Sequence, residues 1–91
     1  MTFADNLKKL PGVAHLAAIR LFDGDEEVAV IEHKAGQVGS LTLYNHLAHT
    51  YGAITPEAAR AGLALYAEQV EDARAHPGRH PHIDRLLALA E

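Results

Sequence analysis

The chain has 91 residues and a formal charge of −4 at pH 7, with 48% apolar side chains and neither cysteine nor tryptophan. That length fits one domain. The acidic balance leaves no basic footprint for nucleic acid, and the missing cysteines remove disulfides, thiolate metal sites and cysteine nucleophiles. The opening residues lack the apolar centre of a signal peptide and no run is long enough for a membrane span, so a cytoplasmic protein with no membrane role is expected.

Taken in order, Phe3 to Leu10 reads as a short helix with Thr2 as its cap, Phe3, Leu7 and Leu10 on one side, and Pro11-Gly12 as its stop. Two β-type runs follow, His15 to Phe22 and Val28 to His33, on either side of Asp23-Gly24-Asp25-Glu26-Glu27. Asp-Gly between apolar runs predicts a hairpin, here with a loop longer than two residues. Arg20 is expected to pair across it with Glu32 or with an acid of the turn. A two-stranded ribbon is not stable alone in water, so helices must cover it or another strand extend it.

Lys34 to Gly39 reads as a loop, after which Ser40 caps a second helix, Leu41 to Tyr51, stopped by Gly52. Its stripe is Leu41, Tyr44, Leu47, Ala48 and Tyr51, three turns long. The alternative makes Ser40 to Tyr44 a third strand. Thr55-Pro56-Glu57 then starts a long helix by capping hydroxyl, first-turn proline and dipole-facing acid. Ala59, Leu63, Tyr66, Val70 and Ala73 form one face of it as far as Ala75, so a single rod of about 30 Å is expected as the spine. Gly62 within it suggests a close neighbouring backbone. His76 to His82 is a tight Pro/Gly loop, and Pro81 opens a last helix with Ile83, Leu86, Leu87 and Ala90 facing inward. The fold class expected is α+β: a small single domain in which the hairpin, or a three-stranded sheet, packs against three to four helices.

Seven histidines invite a reading as chemistry. His46 and His49 fall three apart on the second helix, close enough to share a metal ion such as zinc or nickel. A pair of ordinary surface imidazoles accounts for them more simply, because a metal site needs a third ligand and supporting hydrogen bonds. The second cluster is His76, His80 and His82 with Asp84 beyond, where a rigid helix-to-helix turn is the plainer account and His76 complements the negative end of the preceding helix. Gly39 and Ser40 mark a third place, where N–H groups and a hydroxyl at a helix start can hold an anion, although the Gly-Lys-Ser/Thr ending of a nucleotide loop is missing. No catalytic residue is assignable: there is no HExxH, and nothing in the spacing asks for a triad around Ser40.

Three stretches together carry a likeness: Thr2-Phe-Ala-Asp-Asn-Leu with Leu10-Pro-Gly, Gly62-Leu-Ala-Leu-Tyr-Ala-Glu, and His76-Pro-Gly-Arg-His80-Pro-His-Ile-Asp-Arg-Leu-Leu. They resemble a bacterial family of short proteins catalogued only as a domain of unknown function. The resemblance implies a free-standing bacterial protein and carries no functional residue with it. An ample apolar inventory, no complete catalytic constellation and a size that gains from association point to an interaction or accessory module, as a homodimer or with a protein partner. The alternative is a histidine-based metal-binding protein or small metal-dependent enzyme.

Overall fold

The computed structural model describes residues 2–90. Helix α1 (Phe3–Leu7) is followed by strands β1 (Ala18–Asp23) and β2 (Glu26–Glu32), then by α2 (Val38–Tyr51), α3 (Pro56–Tyr66), α4 (Gln69–Ala75) and α5 (Pro81–Ala90). The α+β class stands, with one antiparallel two-stranded sheet and five helices among the described residues. Ser40 to Tyr44 is helical, not a third strand.

The two strands join through Gly24-Asp25 alone, with Gly24 at φ +63, the glycine-first form of a two-residue loop. The loop looked longer in sequence because Val28 is a bulge: Leu21 faces Ala29, yet Phe22 faces Glu27. Ile19, Leu21 and Ile31 pack toward the core while Arg20, Phe22 and Val30 face out. Arg20 meets an acid near the turn, its Nε lying 3.5 Å from Glu27, whereas Glu32 pairs with Lys34 at 3.1 Å. The first strand begins at Ala18, since Ala14 and His15 form a turn held by Leu16 N–H to Val13 O at 2.9 Å.

α2 is the centre of the molecule. It touches both strands, α1 and α3, and Leu41, Leu43, Tyr44, Asn45 and Leu47 are all buried. A helix covered on more than one side has no single stripe, which is why Tyr51 and Ala48, expected inside, are exposed while Leu43 and Asn45 are not. It also starts three residues early, at Val38, so Ser40 lies within its first turn and is not its cap. Gly52 closes it at φ 78.

The single rod expected from Thr55 to Ala75 does not exist. Thr55 caps α3 as predicted, accepting from Ala58 N–H at 3.1 Å, but the helix stops at Tyr66 and Ala67 turns to φ 53, ψ −120. A straight helix over 56–75 would run about 30 Å, almost the full 32 Å of the longest dimension, and would carry Ala73 out of the core where it is now buried. The break is held from outside by α1, which Thr2 caps in a reciprocal box with Asp5. Asn6 Nδ2–H donates to the freed carbonyl of Leu65 at 2.9 Å, Glu68 Oε1 accepts from Phe3 N–H at 2.8 Å, and the Phe3 ring stacks on Tyr66 at 5.0 Å. Apolar periodicity alone runs through the break because Val70 and Ala73 are still needed inside.

α5 returns along α3, whose buried residues are the small Ala58, Ala59 and Gly62 and, at its end, Tyr66. A Cβ on Gly62 would come within 2.8 Å of Leu86 Cδ1 and 2.9 Å of Leu47 Cδ1, so Gly62 is crowded by leucine side chains and not by the neighbouring backbone expected there. The backbone at Ala67 generates a first prediction. That region belongs to glycine, and holding alanine there costs roughly 1–3 kcal/mol, more than the ~0.5–1 kcal/mol of chain entropy that glycine loses on folding. Ala67→Gly is expected to stabilise the protein by about 1 kcal/mol in urea unfolding; a loss of stability would mean that Ala67 carries no strain.

Candidate functional site

Four of the residues singled out in sequence meet in one cleft of about 430 Å³: Gly39 and Ser40 from the first turn of α2, His80 from the loop before α5, and His82 from its first turn. Arg79, Gln69 and Tyr66 complete its polar wall, and no carboxylate lines it. Gln37, the residue before α2, gives the helix no side-chain cap, because its Oε1 instead accepts from Glu32 N–H at 2.9 Å. Gly39 is small for a packing reason: a Cβ there would sit 3.1 Å from the Phe3 ring. Ser40 accepts from the Tyr66 hydroxyl at 2.7 Å, and burial pushes that phenol far above its ordinary range.

His80 is tied down by an acid of α4. Its Nε2–H donates to Asp72 Oδ2 at 2.5 Å, while Arg79 lies 3.7 Å and His76 4.0 Å from Oδ1 of the same carboxylate. The His80 hydrogen bond, reinforced by the charge of Arg79, holds the Asp72 carboxyl below its ordinary value. The i,i+4 spacing of Asp72 and His76 was the available sequence signal. Asp84, a suggested ligand, accepts from Gly78 N–H at 2.9 Å and closes the loop.

His82 belongs to a second network. The Tyr44 hydroxyl donates to His82 O at 2.5 Å, and Arg85 Nη1 donates to both Tyr44 Oη, at 3.3 Å, and His82 Nδ1, at 3.1 Å. Burial first, and the neighbouring Arg85 charge second, keep His82 below its ordinary pKa. An Nδ1 that accepts is unprotonated, so this ring is neutral with its proton on Nε2. His46 is half-buried on α2 and His49 exposed, and neither lines this cleft. Among the described residues no three His, Asp or Glu side chains gather as a metal-holding group. Chemically, the cleft offers a carboxylate-oriented imidazole, a guanidinium and hydroxyl donors to an acceptor-rich guest.

The fold and this loop-to-helix junction define a small α+β domain built on a helix-covered hairpin. The chain belongs to the bacterial family described as "Uncharacterized protein conserved in bacteria (DUF2322)", whose model matches residues 3–91. The resemblance seen in the three stretches was therefore to its own family. No curated protein and no solved structure matches the chain. No helix among the described residues is long and apolar enough to cross a membrane.

Two pH dependences follow. Asp72, lowered from 3.8, adds stability that is fully present above that value and is lost as pH falls toward the folded-state pKa, because the unfolded carboxylate protonates first. Asp72→Asn should lower the unfolding midpoint at neutral pH, with the gap to wild type closing below pH 3.8; an unchanged gap would remove the Asp72–His80 pair as the cause. His82, lowered from 6.5, acts at higher pH: the unfolded chain takes its proton first, so stability declines as pH drops below 6.5. His82→Gln should flatten that part of the stability–pH curve, and a curve of unaltered slope would contradict the assignment.

Proposed function

We propose that the protein is a self-associating interaction module of the bacterial cytoplasm, with the hairpin as its docking surface. The observation that carries this reading is the outer face of the ribbon: Phe22 is 58% exposed, Val28 52% and Val30 39%, on a sheet of only two strands. Three apolar side chains clustered in water are an unusual expense for so small a domain.

The free edge supports the same reading. His33 N–H bonds Ala17 O at 2.8 Å, which sets the alternation of the ladder and turns the N–H and C=O of Arg20 outward. Among the described residues nothing bonds those groups. On β2 the corresponding edge is partly closed, since Gln37 takes Glu32 N–H. β1 is thus the edge a further strand would join.

Charge favours a second copy as the occupant. The ribbon carries one cation, Arg20, among Asp23, Asp25, Glu26, Glu27 and Glu32. An antiparallel pairing about a two-fold axis sets each Arg20 toward the acids near the other copy's turn, a self-complementary arrangement. The apolar area offered is well short of the roughly 800 Å² per partner of a standard interface, so the dimer is weak and concentration-dependent.

Light scattering from about 10 μM to about 1 mM tests this. The wild type should move from monomer toward dimer, and Phe22→Asp should stay monomeric with an unchanged thermal midpoint. A wild type that is monomeric throughout, or a variant that associates as strongly, overturns the reading.

A further inference from the structure

A second groove, of about 640 Å³, runs between β1 and the helices. Ile19 and Leu21 of β1 line it together with Ile54 and Leu89, Tyr44 and Arg85 stand beside them, and Arg20, Phe22, Asp23 and Val28 of the hairpin complete it on the strand side. The side chain that needs explaining is Arg85. It is half-buried, its Cζ lies 5.9 Å from the centre of the Tyr44 ring, and both polar partners it has are neutral: the Tyr44 hydroxyl and the His82 ring.

No carboxylate of the described residues lies within 4.0 Å of Arg85, in a chain with twelve acids for eight bases. Arg20 has Glu27 and Arg79 has Asp72. A guanidinium has five N–H donors in a planar fork that matches a carboxylate. Withdrawing one from water without an anion is costly, and the cost falls once an anion arrives. Tyr44, fully buried and bound to His82 O, holds Arg85 from behind, so its position is fixed before any guest enters.

We infer that this groove binds a small amphipathic carboxylate, the acid group on Arg85 and an aliphatic or aromatic body between Ile19, Leu21, Ile54 and Leu89. The volume falls in the range of small-molecule sites, which are mostly apolar with few oriented polar groups. Arg20 also lines the groove but is paired with Glu27, and one unpaired arginine suits one carboxylate rather than a polyphosphate, which would need several cations. The groove shares Arg20, Phe22 and Val28 with the proposed docking face, whereas Arg85 lies on α5, so Arg85→Gln tests the groove without altering the hairpin.

Octanoate and octanol, equal in chain and different in charge, are the probes, titrated into the full chain by calorimetry and by amide chemical shifts. Octanoate should bind at least about ten-fold more tightly than octanol, with shifts centred on Ile19, Leu21, Ile54 and Leu89. Arg85→Gln, which keeps a planar donor without the charge, should remove that preference and leave octanol binding unchanged. Equal binding of the two probes to wild type, shifts centred elsewhere, or no binding up to about 5 mM would each overturn the assignment, whether or not the variant folds.

Discussion

Tyr44 and Tyr66 are both out of contact with water, and a phenol hydroxyl taken from solvent must find a partner or cost roughly 1–3 kcal/mol. Each finds one on an element distant in the chain. The Tyr44 hydroxyl reaches His82 O at the start of α5, and the Tyr66 hydroxyl, from the end of α3, reaches Ser40 in α2. These two bonds tie α3 and α5 to the central helix at defined heights. The apolar contacts around them, Leu47 and Leu86 over Gly62, fix how closely the helices approach. Apolar burial is non-directional and sets compactness; the two hydroxyls choose among the compact arrangements.

The break between α3 and α4 follows from the same geometry. With Tyr66 fixed to Ser40, a continuing helix would leave the core, so the chain reverses at Ala67 and brings Val70 and Ala73 back to it. α1 exists to serve this reversal. Five residues make too short a helix to persist alone, but capped by Thr2 and docked through Phe3 and Asn6 it covers Tyr66 and satisfies the Leu65 carbonyl.

The first turns of α5 separate two hollows of opposite character. On one side His80, Arg79 and Ser40 form a donor-rich cleft in which Asp72 engages both His80 and Arg79. On the other, Arg85 stands beside apolar walls with no acid of its own. Of the histidines singled out in sequence, His80 bonds Asp72, and His82 meets Tyr44 through its backbone carbonyl and Arg85 through its ring. The exposed Phe22 and Val28 of the ribbon border the second of these hollows.

Local chemistry was readable without coordinates. Thr2 and Thr55 cap helices because a hydroxyl next to free N–H groups is a short-range matter, Gly52 stops α2 for the same reason, and Asp-Gly announced the turn. The α+β order was legible too, as were Ile83 and Leu86 as core. Periodicity failed where one helix is wetted on no clear side, as in α2, and where a regular stripe spans two helices, as across Ala67. Gly39 and Ser40 were chosen for one reason, His80 and His82 for another, and their meeting in one cleft arises from the return of α5. Asp72 showed only its i,i+4 spacing to His76, and Arg85 carried no local mark. Their roles depend on which distant groups share their surroundings, and that is set by packing between elements that lie tens of residues apart in the chain.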